Sequence, residues 1–257
     1  MGTDNVKSVS GVYFSWAGKM STCAGCMLWL AAIIEIVGLI WCNSLSSSRY
    51  WNSVLVIEAL LLAFYALLSL GSKVANFWAR KKKINDVVDN SFGTQIGDVH
   101  SENYFDNEDI KAGTKKLLYN TAESCFFSYN EMKSMVISVC IKTALPFVIL
   151  AFGLILNKAE IIMAIFRISA IIVLLTQALQ FFITLMQLQV LQSRMFSTLK
   201  HKVGNVGQFN AESINYSLEY ETVMVWYGTK IPDKVYRKLN DKLTNEWECQ
   251  KKSFVVK

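Results

Sequence analysis

The chain has 257 residues, of which 53% are hydrophobic and 18% charged, and its net charge is +6. Its mean hydropathy of +0.30 is high for a water-soluble domain, and only two prolines, Pro146 and Pro232, punctuate it. These values exclude an ordinary soluble enzyme core and argue against a β-barrel built from alternating ten-residue strands.

Residues 1–22 are polar with Gly, Ser and aromatic side chains. They read as a cytoplasmic or interfacial lead-in, with Tyr13, Phe14 and Trp16 at headgroup level. Residues 23–70 form a first hairpin of two apolar runs, Cys23–Cys42 and Trp51–Leu70. Each is long enough, at about 1.5 Å per residue, to cross a hydrocarbon core of about 30 Å. The first run exceeds the roughly 7–15 apolar residues of a secretory signal and lacks a clear cleavage site, so it is expected to be retained. Cys23-Ala-Gly-Cys26 matches a redox or zinc half-site only superficially. The chain has no second CxxC and only His100 and His201, so packing is expected there and no metal or cofactor is predicted.

Residues 71–133 form a helical insert. Ser72 to Val88 continues the second span, Asp89 to Asp109 is rich in Asn, Asp, Gly and Ser and reads as a connection, and Ile110 to Met132 resumes a helical period. Residues 134–188 form a second hairpin with runs Met135–Leu156 and Ile161–Leu188. Residues 189–257 form a C-terminal helical region: an extension of the fourth run to about Lys202, a break at Gly204 and Gly207, a helix over Ala211–Tyr227, and a last helix opened by Ile231-Pro232-Asp233. The expectation is an all-α integral membrane protein with four transmembrane helices in two hairpins. Of the 26 basic residues, 22 lie in the N-terminus, the insert and the tail, which places both termini in the cytoplasm.

Four ionisable residues fall inside the runs: Glu35 and Glu58 in the first hairpin, Lys142 and Arg167 in the second. Each costs at least about 2.5–3.5 kcal/mol to insert, so these groups should face the bundle interior, a cavity or one another. Either they hold the hairpins together as ion pairs or they line and gate a path. Gln177, Gln180, Thr184 and Gln187 lie within about 80° on the fourth run and make a polar stripe. That stripe is either interhelical glue or a wet wall around the axis of an oligomer.

Two basic clusters flank the runs. Arg80, Lys81, Lys82 and Lys83 fit contact with anionic lipid or a polyanion. Lys230, Lys234, Arg237, Lys238 and Lys242, near the aromatic Trp226, Tyr227, Tyr236 and Trp247, fit either a solvated helix face or a site that pairs phosphates and stacks bases. No Walker loop, GxSxG, HExxH or Rossmann glycine pattern is present, so no enzyme is predicted.

Lys83-Ile84-Asn85-Asp86-Val87-Val88-Asp89-Asn90-Ser91-Phe92 and Lys230-Ile231-Pro232-Asp233-Lys234-Val235-Tyr236, within two hairpins split by an insert, resemble the four-transmembrane effectors associated with SMODS nucleotidyltransferases in bacterial antiphage defence. This chain has Asn85-Asp86 where that family usually reads Gln-Glu. The resemblance implies a pore-forming effector in the cell inner membrane, assembled as a homo-oligomer. A nucleotide or oligonucleotide signal from a partner nucleotidyltransferase would gate it, and it would act by membrane disruption. A small secondary transporter, or a non-conducting membrane scaffold for a cytoplasmic partner, are the alternatives.

Overall fold

The computed structural model describes residues 10–42, 48–97, 105, 107, 109–156, 161–201, 205–227 and 231–255. Within these, side chains are described except at 32, 35–42, 48–52, 145–147, 149–156, 161–171 and 255. The described chain is all-helical: α1 (Gly11–Cys42), α2 (Ser48–Phe92), α3 (Thr114–Leu156), α4 (Ile161–Lys200), α5 (Val206–Tyr227) and α6 (Asp233–Val255). α1 packs along α2 and α3 along α4, with α5 laid against α3 and α4. The two-hairpin layout expected from the sequence is therefore present as helix packing. The lead-in is helical from Gly11, and the second helix runs four residues past the expected end at Val88.

Helix ends follow local chemistry. α2 stops at Gly93, whose φ of 68° suits a residue without Cβ. Its N–H donates to the Asp89 carbonyl at 2.8 Å. The Asp89 carboxylate accepts from Thr94 Oγ1 and from the Ile96 and Gly97 N–H groups at 2.7–2.8 Å, which ties down the chain leaving the helix. Asn205 caps α5, its side-chain oxygen accepting from the Gly207 N–H at 2.9 Å. Pro232 precedes the first turn of α6 and its carbonyl accepts from the Val235 N–H at 2.9 Å.

Two regions differ in what they bury. In the base, formed by α5, α6 and the adjoining ends of α2, α3 and α4, Trp247, Leu118, Met132, Leu188, Leu191, Met195 and Met224 are almost wholly buried. Trp247 sits among the rings of Phe126, Phe196 and Phe254, with centroids 6.0–6.2 Å apart. In the stem, formed by α1, the first part of α2, the later part of α3 and the first part of α4, large apolar side chains point outward. On α2, Val56, Leu60, Phe64, Leu67, Leu70, Val74 and Phe77 are 53–68% exposed at spacings of three and four. That stripe is about 31 Å long. Ile172, Leu175, Leu179, Ile183, Met186 and Val190 repeat the pattern on α4.

The inner α1–α2 seam carries small residues instead. Ala17, Ala24, Ser72, Ala75 and Ala79 are buried, and Ser72 Oγ donates to the Ala17 carbonyl at 2.8 Å. A Cβ at Gly71 would stand 3.1 Å from Met20 Sδ. Small residues let the two backbones approach closely where no apolar core is available.

Among the described residues two helices, over Ser53–Phe92 and Ile172–Lys200, are long and apolar enough to cross a membrane, against the four expected. A large part of the first and third runs, residues 35–42, 145–147 and 149–156, has side chains that lie outside the described ones. The described parts of those runs hold Gly25, Ser138 and Lys142, which lower their hydropathy.

Candidate functional site

Inside the stem, where α1, α2, α3 and α4 converge, is a cavity of about 490 Å³. Its polar wall comes from all four helices. Tyr65, Ser69 and Ser72 lie at positions i, i+4 and i+7 of α2, on one helical face, with Lys73 beside them. α1 adds Ser21, α3 adds Lys142 and Thr143, and α4 adds Thr176, Gln177 and Gln180. Gln177 Nε2 donates to the Tyr65 hydroxyl across the bundle. Leu28, Trp29, Val139 and Phe181 supply apolar wall between these groups. Tyr227 at the end of α5 and Pro232 before α6 also reach the cavity, Tyr227 packing on the Phe181 ring at 6.3 Å.

The polar stripe of α4 is thus divided. Gln177 and Gln180 face the cavity, Thr184 is fully buried with no hydrogen-bond partner for its hydroxyl, and Gln187 is exposed away from it. Gln177 and Gln180 share their face of α4 with Leu188 and Leu191, which are buried where the base begins. Of the four charges in the runs, Lys142 lines the cavity and makes no ion pair with a described residue. Glu58 is half-buried, two turns beyond Tyr65 on α2, and outside the lining. The side chains of Glu35 and Arg167 lie outside the described residues.

The first basic cluster is split by the helix period. Arg80 and Lys83, three apart, are buried, while Lys81 is exposed and Lys82 half-exposed. The Arg80 guanidinium lies 5.5 Å from the centroid of Phe14 and 3.8 Å from Glu221 Oε2. Lys83 Nζ stands over Tyr220 at 5.6 Å. Lys82 stands over Tyr13 and Lys81 over Trp78, at 5.5 and 5.3 Å. For buried Arg80 and Lys83, these cation–π contacts with Phe14 of α1 and Tyr220 of α5 partly replace lost hydration.

Arg80 and Lys83 belong to a buried polar seam joining α2 to α3 and α5. Burial raises the carboxyl of Glu131 to about 7, with Lys83 pulling the other way. Burial likewise raises the Tyr220 phenol, whose oxygen is 3.0 Å from Ser128 Oγ, and the Cys125 thiol. At the insert, Asn107 Nδ2 donates to Asn120 Oδ1 and Glu123 Oε2 at 2.9 and 2.7 Å, and Asn120 Nδ2 donates to Asn90 Oδ1 and Ser91 Oγ at 2.8 and 3.0 Å. The segment Lys83–Phe92 therefore turns much of its polarity inward, with Lys83, Asp86, Asp89 and Ser91 all buried.

On α6, Lys234, Arg237, Lys238 and Lys242 are exposed, and Lys242 pairs with Glu246 at 3.7 Å. Tyr236 on the same helix and Trp226 on α5 are exposed, whereas Tyr227 and Trp247 are buried and unable to stack a ligand. Lys230 lies outside the described residues. Sequence reading missed Tyr65, Ser69, Ser72 and Lys73 as cavity residues, although their spacing on α2 was legible. Among the described residues no group of His, Cys, Asp and Glu could hold a metal. Comparison with protein-family models, characterised proteins and solved structures yields no match for this chain.

Proposed function

We propose that the chain is a four-span membrane protein with both termini in the cytoplasm, and that its stem forms a permeation path for small solutes. The observation that carries this reading is the inversion of the stem: apolar stripes face outward while Lys73, Lys142, Tyr65, Gln177 and Gln180 line a cavity within. Water penalises the exposed stripes and lipid penalises polar groups, so a bilayer outside and water inside suits both surfaces. The stripe of about 31 Å on α2 matches one hydrocarbon thickness.

Tyr227 and Pro232 connect the path to the base, so a rearrangement of α5 and α6 would alter the cavity mouth. The resemblance to SMODS-associated effectors extends the proposal: a nucleotide signal acts on the base, opens the path and disrupts the membrane of an infected cell. The exposed cations Lys234, Arg237 and Lys238, with Tyr236 and Trp226, are the set on which phosphates and bases would dock. One cavity of this size is narrow for membrane disruption, so the proposal includes assembly of several copies.

Induced expression with a membrane-impermeant dye and a potential-sensitive dye tests the reading. Depolarisation or dye entry, weakened by Gln177→Leu, is expected. Neither signal, together with solute uptake by vesicles, would instead make the cavity the substrate site of a transporter. A scaffold produces none of the three.

A further inference from the structure

The charge on the cavity wall is of one sign. Lys73 on α2 and Lys142 on α3 both line it, and no carboxylate does so among the described residues. Neither lysine makes an ion pair with a described residue, although the base holds several such pairs. The remaining polar wall consists of hydroxyls and amides, including Ser69, Thr143, Gln177 and Gln180. These groups donate hydrogen bonds, as an anion requires. Both lysines are exposed side chains at the wall of one cavity, and two like charges on one concave surface set up a positive potential that raises the local concentration of counter-ions.

We infer that this cavity is an anion site and that the path selects small inorganic anions. The inference rests on the reading of the stem as membrane-embedded and hydrated inside. An anion can reach the lysines from two sources, either free in solution or as the phosphate of a lipid headgroup. The solution source is the one argued, since hydroxyls and amides from four helices line the same cavity as the lysines. A headgroup at the lipid boundary would need no such surround.

Trp29 lines the same cavity and serves as a reporter. Full-length protein in phosphatidylcholine nanodiscs is titrated with iodide, caesium and neutral acrylamide, and the Trp29 signal is taken as the difference between wild type and Trp29→Phe. Iodide should quench that signal at least about threefold more strongly than caesium, relative to acrylamide. Lys73→Gln with Lys142→Gln should bring the ratio to about one, and Lys73→Arg with Lys142→Arg should restore it. Equal quenching by the two ions, a ratio unaffected by the glutamine pair, or no quenching even by acrylamide overturns the inference. Loss of the iodide preference when phosphatidylglycerol replaces part of the lipid assigns the site to headgroups and overturns the solution source.

Current measurement separates this from the pore reading. Currents that reverse toward the cation equilibrium overturn anion selection and leave a pore. An iodide preference without any current leaves an anion site and removes the pore.

Discussion

A single face of α4 passes through both regions and changes character on the way. In the stem it carries Gln177, Gln180 and Thr184, with Leu179 and Ile183 turned outward and 60% and 42% exposed. In the base it carries Leu188, Leu191 and Met195, all at most 1% exposed. Burying each such side chain contributes about 1.5–3 kcal/mol where water lies outside. In the stem that driving force is absent on the outward side if lipid lies there, and cohesion comes from small-residue packing and hydrogen bonds such as Ser72 to Ala17. With lipid outside the stem, the same helix would obey the rule of a soluble core at one end and its inverse at the other.

The largest effect should come from the base. Trp247→Ala removes a side chain enclosed by three aromatic rings, and about 3–5 kcal/mol should be lost. Limited proteolysis should then cleave in α5 and α6 while the stem stays protected; unchanged protection of α6 would mean that Trp247 does not organise this core.

Leu67→Lys tests the stem at the most exposed large apolar side chain described on α2, 68% accessible. In a bilayer the change costs up to about 2.5–3.5 kcal/mol, lessened where the lysine snorkels, and membrane-inserted yield should fall severalfold. If that outer surface faces water, the variant should be at least as soluble and stable as wild type. That outcome would break the contrast between the two regions.

Glu131→Gln sharpens the contrast within the base. Its carboxyl, raised to about 7 by burial, stays protonated where an ordinary carboxyl near 4.5 has ionised. The stability contributed by the neutral form is complete below that ordinary value and is lost as pH rises through about 7. The variant should match wild type near pH 4.5 and exceed it by about 1–3 kcal/mol at pH 8. Urea denaturation at the two pH values measures the difference, and a wild-type advantage at pH 8 would show that the ionised form is the one this seam stabilises.

Much of the layout was legible because helices write their period into a chain. The uninterrupted apolar runs specified helices, and Pro232-Asp233 marked the start of α6 within a residue or two. The stretch after Val88 was harder to read, since its Asn, Asp and Ser suggested a loop. Tertiary partners supplied the bonds that keep Asp89, Asn90 and Ser91 helical: Asn120 meets two of these side chains and the Gly113 N–H meets the Ser91 carbonyl. At the candidate site Gln177, Gln180 and Lys142 were found by polarity alone. Tyr65, Ser69 and Lys73 were not, because hydroxyls and a lysine near the end of an apolar run resemble ordinary boundary residues.

By itself the sequence determined that the chain is helical, that its apolar stretches are paired, and that its charge is concentrated outside them. Those properties depend on local propensity and on spacing along one strand of chain. Only the tertiary structure decided which members of each polar set meet. It turned Arg80 and Lys83 inward and left Lys81 outward, buried Tyr227 beside exposed Trp226, and brought Lys73 and Lys142 from different helices to one cavity. The physical reason is rotation about the helix axis: neighbours in sequence stand about 100° apart, and only packing against other helices decides which of them faces inward.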